Sequence, residues 1–260
     1  AHWFEDRITG KCTNFCYEEV ALTGAGFKGG RWRVPVRKLV DAGTHRRFAE
    51  LATLNTDQLE FAVKVLGDPG VEAEYLYWVG CAGSFDDRNR KVTISTARLL
   101  HEAGVDFAIL GPQELCTGDP ARRTGNEYVF QGLALQNIET LNDLGVTKVI
   151  SQCPHCFNTL QNEYPQFGGE YEVVHHSELL MQLVEQERIK PKSNGHTETY
   201  HDQFYIGRNK QQYVDPRDHV DELWTTLDKT RNGTKALSRG DRSCKMWIED
   251  QTGKKYNINP

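Results

Sequence analysis

Four of the seven cysteines, Cys81, Cys116, Cys153 and Cys156, fall within one stretch of the chain, and each closely follows an apolar run of strand character. Tyr75–Val79 precedes Cys81, Phe107–Leu110 precedes Cys116 by a short loop, and Lys148–Ser151 precedes Cys153. Between Cys81 and Cys116 lie 34 residues, between Cys116 and Cys153 lie 36, and Cys153 and Cys156 form a C-x2-C pair. Thiolate quartets bind zinc or an iron–sulfur cluster. The long gaps argue against a small zinc ribbon or knuckle, which uses two tight pairs. They suit a cluster gripped by separate loops of a preformed sheet.

Those loops need a scaffold that brings them to one place. Strands alternating with helical patterns predict a parallel sheet built from right-handed crossover units. In such a sheet the loops at the strand carboxyl ends lie along one edge, where ligands bind. Ile94, Ala97, Leu100 and Ala103 recur as one buried helix face, and Gly104 stops that helix. Asp119-Pro120 reads as an N-cap followed by proline at N1, opening a long helix that buries Phe130, Ala134, Ile138 and Leu141 and ends at Gly145. Tyr171–Val174 reads as a fourth strand, and Leu179, Leu180, Leu183 and Val184 as a further helix face. Earlier in the chain a helix is expected around Leu51–Leu66, with a break at Asp68-Pro69-Gly70. Val220–Leu227 is expected to be helical. The glycines around Cys81 (Gly80, Gly83) and after Cys116 (Gly118) suit close approach of backbone to a bound group. A helix starting after Cys153-Pro154 would point its positive end at the thiolates, as would the helix from Pro120. Arg122 and Arg123 either add to that positive field or lie exposed in the first helical turn.

Composition bounds the rest. The net charge of −5 carries no electrostatic footprint for nucleic acid. Hydrophobic content of 38% with 10% aromatics suits a soluble globular protein, and no apolar run reaches the ~18 residues of a membrane span. The start, AHWFEDRITGKC, has no apolar signal core, and its first residue is Ala1, so the chain is expected to be processed or a fragment. An odd cysteine count with close C-x3-C and C-x2-C pairs favours metal binding in a reducing compartment, hence a cytoplasmic location, over a disulfide framework. The C-x3-C pair is Cys12 and Cys16 in GKCTNFCYEE. Its spacing matches the tail of the bacterial ferredoxin run, but Asp6 and Thr9 occupy the two earlier cysteine positions and Tyr17 the final proline. Either these two thiols share a second iron–sulfur cluster with ligands from elsewhere, or they are ordinary free or buried thiols. His155, inside the C-x2-C, is a candidate hydrogen-bond partner for a cluster sulfur. His175 and His176 follow a strand-like run and are candidates at the same edge, and His201, at the end of another strand-like run, is a weaker candidate; the other reading of each is a core or surface hydrogen-bonder.

The segments GCAGSFD, CTGDPARRTGNEYVFQ and CPHCFNTLQNEYP closely resemble the cysteine-rich (CCG-type) domain of iron–sulfur oxidoreductases. That family includes heterodisulfide reductase subunits B and D and the iron–sulfur subunits of glycolate and lactate oxidases. The wording is most similar to membrane-associated members that pass electrons from electron-transfer flavoprotein to quinone. The resemblance implies an α/β fold: a parallel-sheet CCG-type domain over 71–190, a partial ferredoxin-like segment over 1–70, and a linker with a degenerate or truncated second copy over 191–260. It implies a [4Fe–4S] cluster on Cys81, Cys116, Cys153 and Cys156, and electron relay between a flavin-containing partner subunit and an acceptor such as quinone or another cluster. Redox subunits of flavoprotein or ferredoxin-like type are the implied partners, with any membrane association made through a complex or through further sequence. The chain departs from the heterodisulfide pattern where Cys116 is followed by Thr117 rather than a second cysteine. Four cysteines suit a cubane, so electron relay is expected in place of heterodisulfide chemistry. Traces of a second copy stand at YHDQFYIGR and GDRSCKMWIED, with Phe204, Ser238 and Arg239 at cysteine positions and Cys244 at a glycine position. Two other readings stay open: a structural zinc or cluster-free interaction module, and direct thiol–disulfide catalysis by Cys153 and Cys156. No nucleophile with its base, no acid–base pair and no nucleotide loop is evident, so substrate chemistry is expected on a flavin or partner subunit.

Overall fold

Short apolar runs whose side chains alternate between two faces build a five-stranded, all-parallel sheet. Its strands are β1 (Lys64–Val65), β2 (Tyr75–Trp78), β3 (Phe107–Ile109), β4 (Lys148–Ser151) and β5 (Glu172–His175), in the spatial order β1-β3-β2-β4-β5. This is a computed structural model, and it describes residues 61–192 apart from 86 and 124, with Leu59 and short stretches at 20–21, 31–33, 197–198, 200, 206–207, 217, 225–226 and 249–250. In register, Tyr75 lies opposite Phe107, Leu76 opposite Val149, and Ser151 opposite His175.

Period-two alternation sorts the core into two layers. Leu76 and Trp78 of β2, Ala108 of β3, Val149 of β4 and Val173 of β5 face one side. There they meet α4 (Glu127–Asp143) through Phe130, Ala134, Ile138 and Leu141, and the segment after β4 through Phe157, Leu160 and Tyr164. Tyr77, Phe107, Ile109 and Ile150 face the other side. They pack on α2 (Asp87–Glu102) through Ala97 and Leu100, and on α6 (His176–Glu185) through Leu179, Leu180 and Leu183. Strands buried on both faces read as near-continuous apolar runs, which is how these runs appear in the sequence.

The chain leaves β2 toward β3 by way of α1 (Gly80–Phe85) and α2, and leaves β4 toward β5 in the opposite direction. The strand order therefore reverses between β2 and β4. Such a switch point opens a crevice at the strand carboxyl ends.

Several expectations are corrected. Residues 61–66 are not helical: β1 pairs in parallel with β3, Lys64 opposite Ala108, and the Leu66 amide continues the ladder to Ile109. The decisive pattern is period two, since Leu59, Phe61, Val63 and Val65 all join the core while Ala62 and Lys64 point to solvent. The sheet thus takes its edge strand from before residue 71. The expected helix over 51–58 lies outside the described residues. The single long helix from Pro120 is two helices, α3 (Asp119–Arg123) and α4, because the Asn126 side chain accepts from the Val129 amide and starts a new helix. Asp119 is the first residue of α3, and its carboxylate accepts from Arg123 Nε at 2.9 Å. The fourth strand is shifted by one residue, to Glu172–His175. In the stretch expected to be helical over Val220–Leu227, Thr225–Thr226 is a strand paired with Thr197–Glu198, in line with the strand preference of β-branched residues.

Candidate metal centre

None of Cys81, Cys116, Cys153 and Cys156 is in a disulfide. They stand just past the carboxyl ends of β2, β3 and β4, three adjacent strands, so the sheet brings them to one edge. Cys81 lies in the short helix α1 rather than in the glycine-rich loop that its neighbours suggest; Ser84 Oγ donates back to the Gly80 carbonyl at 2.9 Å within it. Cys153 is the N-cap of α5 (Pro154–Asn158), with Pro154 in its first turn, and Cys156 sits within that helix, buried. The Sγ atoms of Cys81 and Cys116 are 3.8 Å apart. Thr117 Oγ1 donates to Cys156 Sγ at 3.7 Å, tying the β3 loop to the C-x2-C. Among the described residues, no three His, Cys, Asp or Glu side chains converge on a position that would hold a single ion. The cysteines are linked in pairs instead, Cys81 with Cys116 and Cys153 with Cys156.

Gly80 leaves a gap beside Cys156. Its φ of +74° lies in the left-handed region, and a Cβ there would sit 3.3 Å from Cys156 Sγ. The close packing that a methyl group would create is left open beside the sulfur.

The electrostatics separate the C-x2-C pair. The hydrogen bond from Cys156 draws the Cys153 thiol well below its ordinary range against the opposing effect of burial, with His155 helping from 3.9 Å. The same bond, burial and the charge of Cys153 push Cys156 up. Burial alone would lower the pKa of His155, but Cys153 and Asp119 outweigh it, so His155 is held toward its protonated form. Cys153 is thus the readier thiolate for a metal ion, since thiolate is the ligating form.

A shell of buried polar groups fixes these loops, and it is the part of the site that sequence reasoning missed. Glu114, 1% exposed, accepts from the Val79 amide at 3.1 Å and the Gly80 amide at 2.6 Å, joining the β3 loop to the segment that carries Cys81. Burial raises its pKa to about 8, against the two N–H bonds, which favour the carboxylate. Gln152, next to Cys153, donates to Thr93 Oγ1 at 2.7 Å and accepts from the Tyr77 hydroxyl at 2.5 Å. Thr93 in turn donates to the Gly83 carbonyl at 3.2 Å. Burial raises the Tyr77 pKa, so its hydroxyl stays a donor. Asn137 donates to the Cys116 carbonyl and to the Tyr164 hydroxyl, both at 3.0 Å, and Tyr164 donates onward to the Thr117 carbonyl at 3.2 Å. The signal that could have found Asn137 is its place on the apolar stripe of α4, between Ala134 and Ile138. A polar residue there must have buried partners. Glu114 and Gln152 stand within two residues of a cysteine but show no spacing that marks them.

Arg122 and Arg123 do not lie exposed. Arg122 pairs with Glu163 at 2.9 Å and stacks on Phe130, and Arg123 pairs with Asp119 and Glu163, so the two guanidinium groups brace α3 against the segment after α5. His175 is 3% exposed and shares a 2.7 Å hydrogen bond with Ser177 Oγ, which makes it a core residue at the start of α6. His176 stacks obliquely on it, with ring centroids 4.4 Å apart. Cys12, Cys16, Cys244 and His201 lie outside the described residues. Among the described residues no helix is long and apolar enough to cross a membrane.

Comparisons with known proteins bear on this geometry. The chain is 42% identical over 198 residues to the EtfAB:quinone oxidoreductase of Syntrophomonas wolfei, covering 75% of this chain and 28% of that protein. It is 41% identical over 199 residues to a Bacillus subtilis protein named probable iron-sulfur-binding oxidoreductase FadF, again covering 75% and 28%. The D-type component of the dihydromethanophenazine:CoB–CoM heterodisulfide reductase of Methanosarcina mazei is 36% identical over 153 residues, 56% of this chain and 37% of that protein. The chain therefore spans well under half the length of these three relatives. No solved structure matches it. Residues 75–161, which run from the start of β2 past Cys156, match the cysteine-rich domain family, and this part of the chain is a CCG-type cysteine-rich domain.

Proposed function

We propose that this chain is an electron-transfer segment of an iron–sulfur oxidoreductase, holding one [4Fe–4S] cluster on Cys81, Cys116, Cys153 and Cys156. The observation that carries the reading is the gathering of four cysteine thiols, none of them in a disulfide, past the carboxyl ends of three adjacent parallel strands, beside the switch point of the sheet. The donor set fits: four thiolates are what such clusters take, and Gly80 leaves a gap beside the Cys156 sulfur that a side chain would fill. Bound there, the cluster supplies one-electron acceptance and release. The residues of the chain hold, orient and shield it. Gly80 leaves room at Cys156, Thr117 donates to the Cys156 sulfur, and Glu114, Gln152 and Asn137 fix the three loops. With no second cysteine beside Cys116, the ligand count suits a cubane.

The names of the relatives support a flavin-containing donor, such as an electron-transfer flavoprotein, and a quinone or a further cluster as acceptor. The same reading gives Cys12 and Cys16 to a second iron–sulfur cluster. It places the protein in the cytoplasm, with membrane contact made through a complex. Anaerobic purification followed by iron and acid-labile sulfide analysis tests the proposal. About four irons and four sulfides per cluster, with a brown visible spectrum, are expected. A colourless chain carrying one zinc would overturn it in favour of a structural zinc module.

A further inference from the structure

Trp78 ends β2 and is fully buried, with its ring in the layer formed by α4 and Phe157. Its indole Nε1 has no hydrogen-bond partner. A buried donor left unpaired costs about 1–3 kcal/mol, and indole N–H groups inside proteins ordinarily find an acceptor. The place of this one is informative. A Cβ built on Gly80 would lie 3.8 Å from Trp78 Cδ1 and 3.9 Å from Trp78 Nε1, and 3.3 Å from Cys156 Sγ. The pyrrole edge of the indole and the Cys156 sulfur therefore border the same gap, the one that Gly80 leaves open.

We infer that the Trp78 indole N–H donates a hydrogen bond to the sulfur-rich group held by the four cysteines, on its Cys156 side, and raises the reduction potential of that group. The inference rests on the cluster reading above. Reduction adds negative charge to a centre already rich in thiolate and sulfide. A fixed donor aimed at sulfur favours the reduced state more than the oxidised one, and hydrogen bonds to sulfur are among the factors that set such potentials. Thr117 Oγ1 approaches Cys156 Sγ at 3.7 Å, so this corner would receive two donors, one from the end of β2 and one from the loop after β3. Both come from fully buried residues whose positions the core fixes, so neither donor needs to reorganise when the charge changes. Trp78 is a positioning and tuning residue in this account and does not act as a ligand.

The test is Trp78→Phe in the full 260-residue chain, reconstituted anaerobically, with iron and sulfide content measured beside a potentiometric titration followed by electron paramagnetic resonance. The expected result is wild-type iron and sulfide content with a reduction potential shifted to a more negative value. Wild-type potential at full cluster content would overturn the inference and leave the cluster reading standing. A wild-type chain that takes up no iron or sulfide would overturn both. If Trp78→Phe does not fold, the wild-type chain with 15N-labelled indoles gives the answer. Of its five tryptophans, one N–H resonance is expected to shift or broaden between the oxidised and reduced states, and to be lost from that set in apoprotein. Indole signals that are all insensitive to redox state would refute the hydrogen bond.

Discussion

Glu114→Ala is the most direct probe of how the site is held. Val79 and Gly80 lie just beyond the last ladder pair of β2, where their amides have no strand partner, and the two oxygens of Glu114 satisfy both. Truncation removes both acceptors from a place where Glu114 is 1% exposed. Each buried amide left unpaired costs about 1–3 kcal/mol, so a loss of about 2–6 kcal/mol is expected, with any water that enters the space reducing it. With a slope near 2 kcal/mol per molar urea, that is a fall in the unfolding midpoint of about 1–3 M at unchanged slope. Glu114→Gln should lose less, about 1–3 kcal/mol, because one of the two amides then faces an NH2 donor. It keeps one carbonyl acceptor, and an amide avoids burying a group that can ionise. The assay is urea unfolding of the metal-free chain by circular dichroism, with iron content measured separately after anaerobic reconstitution. Glu114→Ala should also take up less iron than Glu114→Gln, because the segment carrying Cys81 loses its tie to the β3 loop. A midpoint for Glu114→Ala equal to that of wild type would refute the reasoning, since it would mean that the two amides gain nothing from the carboxylate.

Further predictions follow from the same contacts. Cys153→Ser should lose most of its iron and visible absorbance while keeping its far-ultraviolet circular dichroism, because serine oxygen is a poorer partner for iron and the sheet has its own apolar core; Cys244→Ser should leave both unchanged, and full iron content in Cys153→Ser would remove it from the ligand set. Gly83→Ala should destabilise the chain by about 1–3 kcal/mol, since the new Cβ would lie 2.5 Å from Gln152 Nε2 and 2.7 Å from Thr93 Oγ1; an unchanged thermal midpoint would show that the loop shifts freely. Burial, with His176 alongside, holds the His175 pKa well below its ordinary 6.5, against an opposing contribution from the Gln152 backbone. Below about pH 6.5 the unfolded chain therefore takes up a proton that the folded chain does not, and stability should fall by up to about 1.4 kcal/mol per pH unit. His175→Asn, which keeps an acceptor for the Ser177 amide, should lose that part of the acid dependence in urea titrations at pH 5.5 and 7.5. Parallel curves for the two proteins would show that His175 does not carry it.

The sequence by itself determined the parallel α/β sheet and the four thiols, and for physical reasons. Strands covered on both faces become apolar runs, as in YLYWV, DFAIL and KVIS, and a cysteine just past each run inherits its position from the crossover topology. The position of the four thiols was legible because it depends on local pattern and chain order. The tertiary structure alone decided the rest. β1 was hidden because its period-two run from Leu59 to Val65 sits inside a longer apolar stretch that also reads as helical, and only the free edge of β3 shows where it goes. The division between α3 and α4 depended on which role Asn126 plays, and Asn126 suits a turn or a cap equally well in sequence. The bracing of the thiol loops was least legible. Glu114 reaches back 34 residues to Gly80, Gln152 reaches 59 residues to Thr93, and Asn137 reaches 27 residues to Tyr164. Such contacts have no period and no motif. They exist because folding buries polar groups from distant parts of the chain together, and once buried each must find a partner within hydrogen-bonding distance.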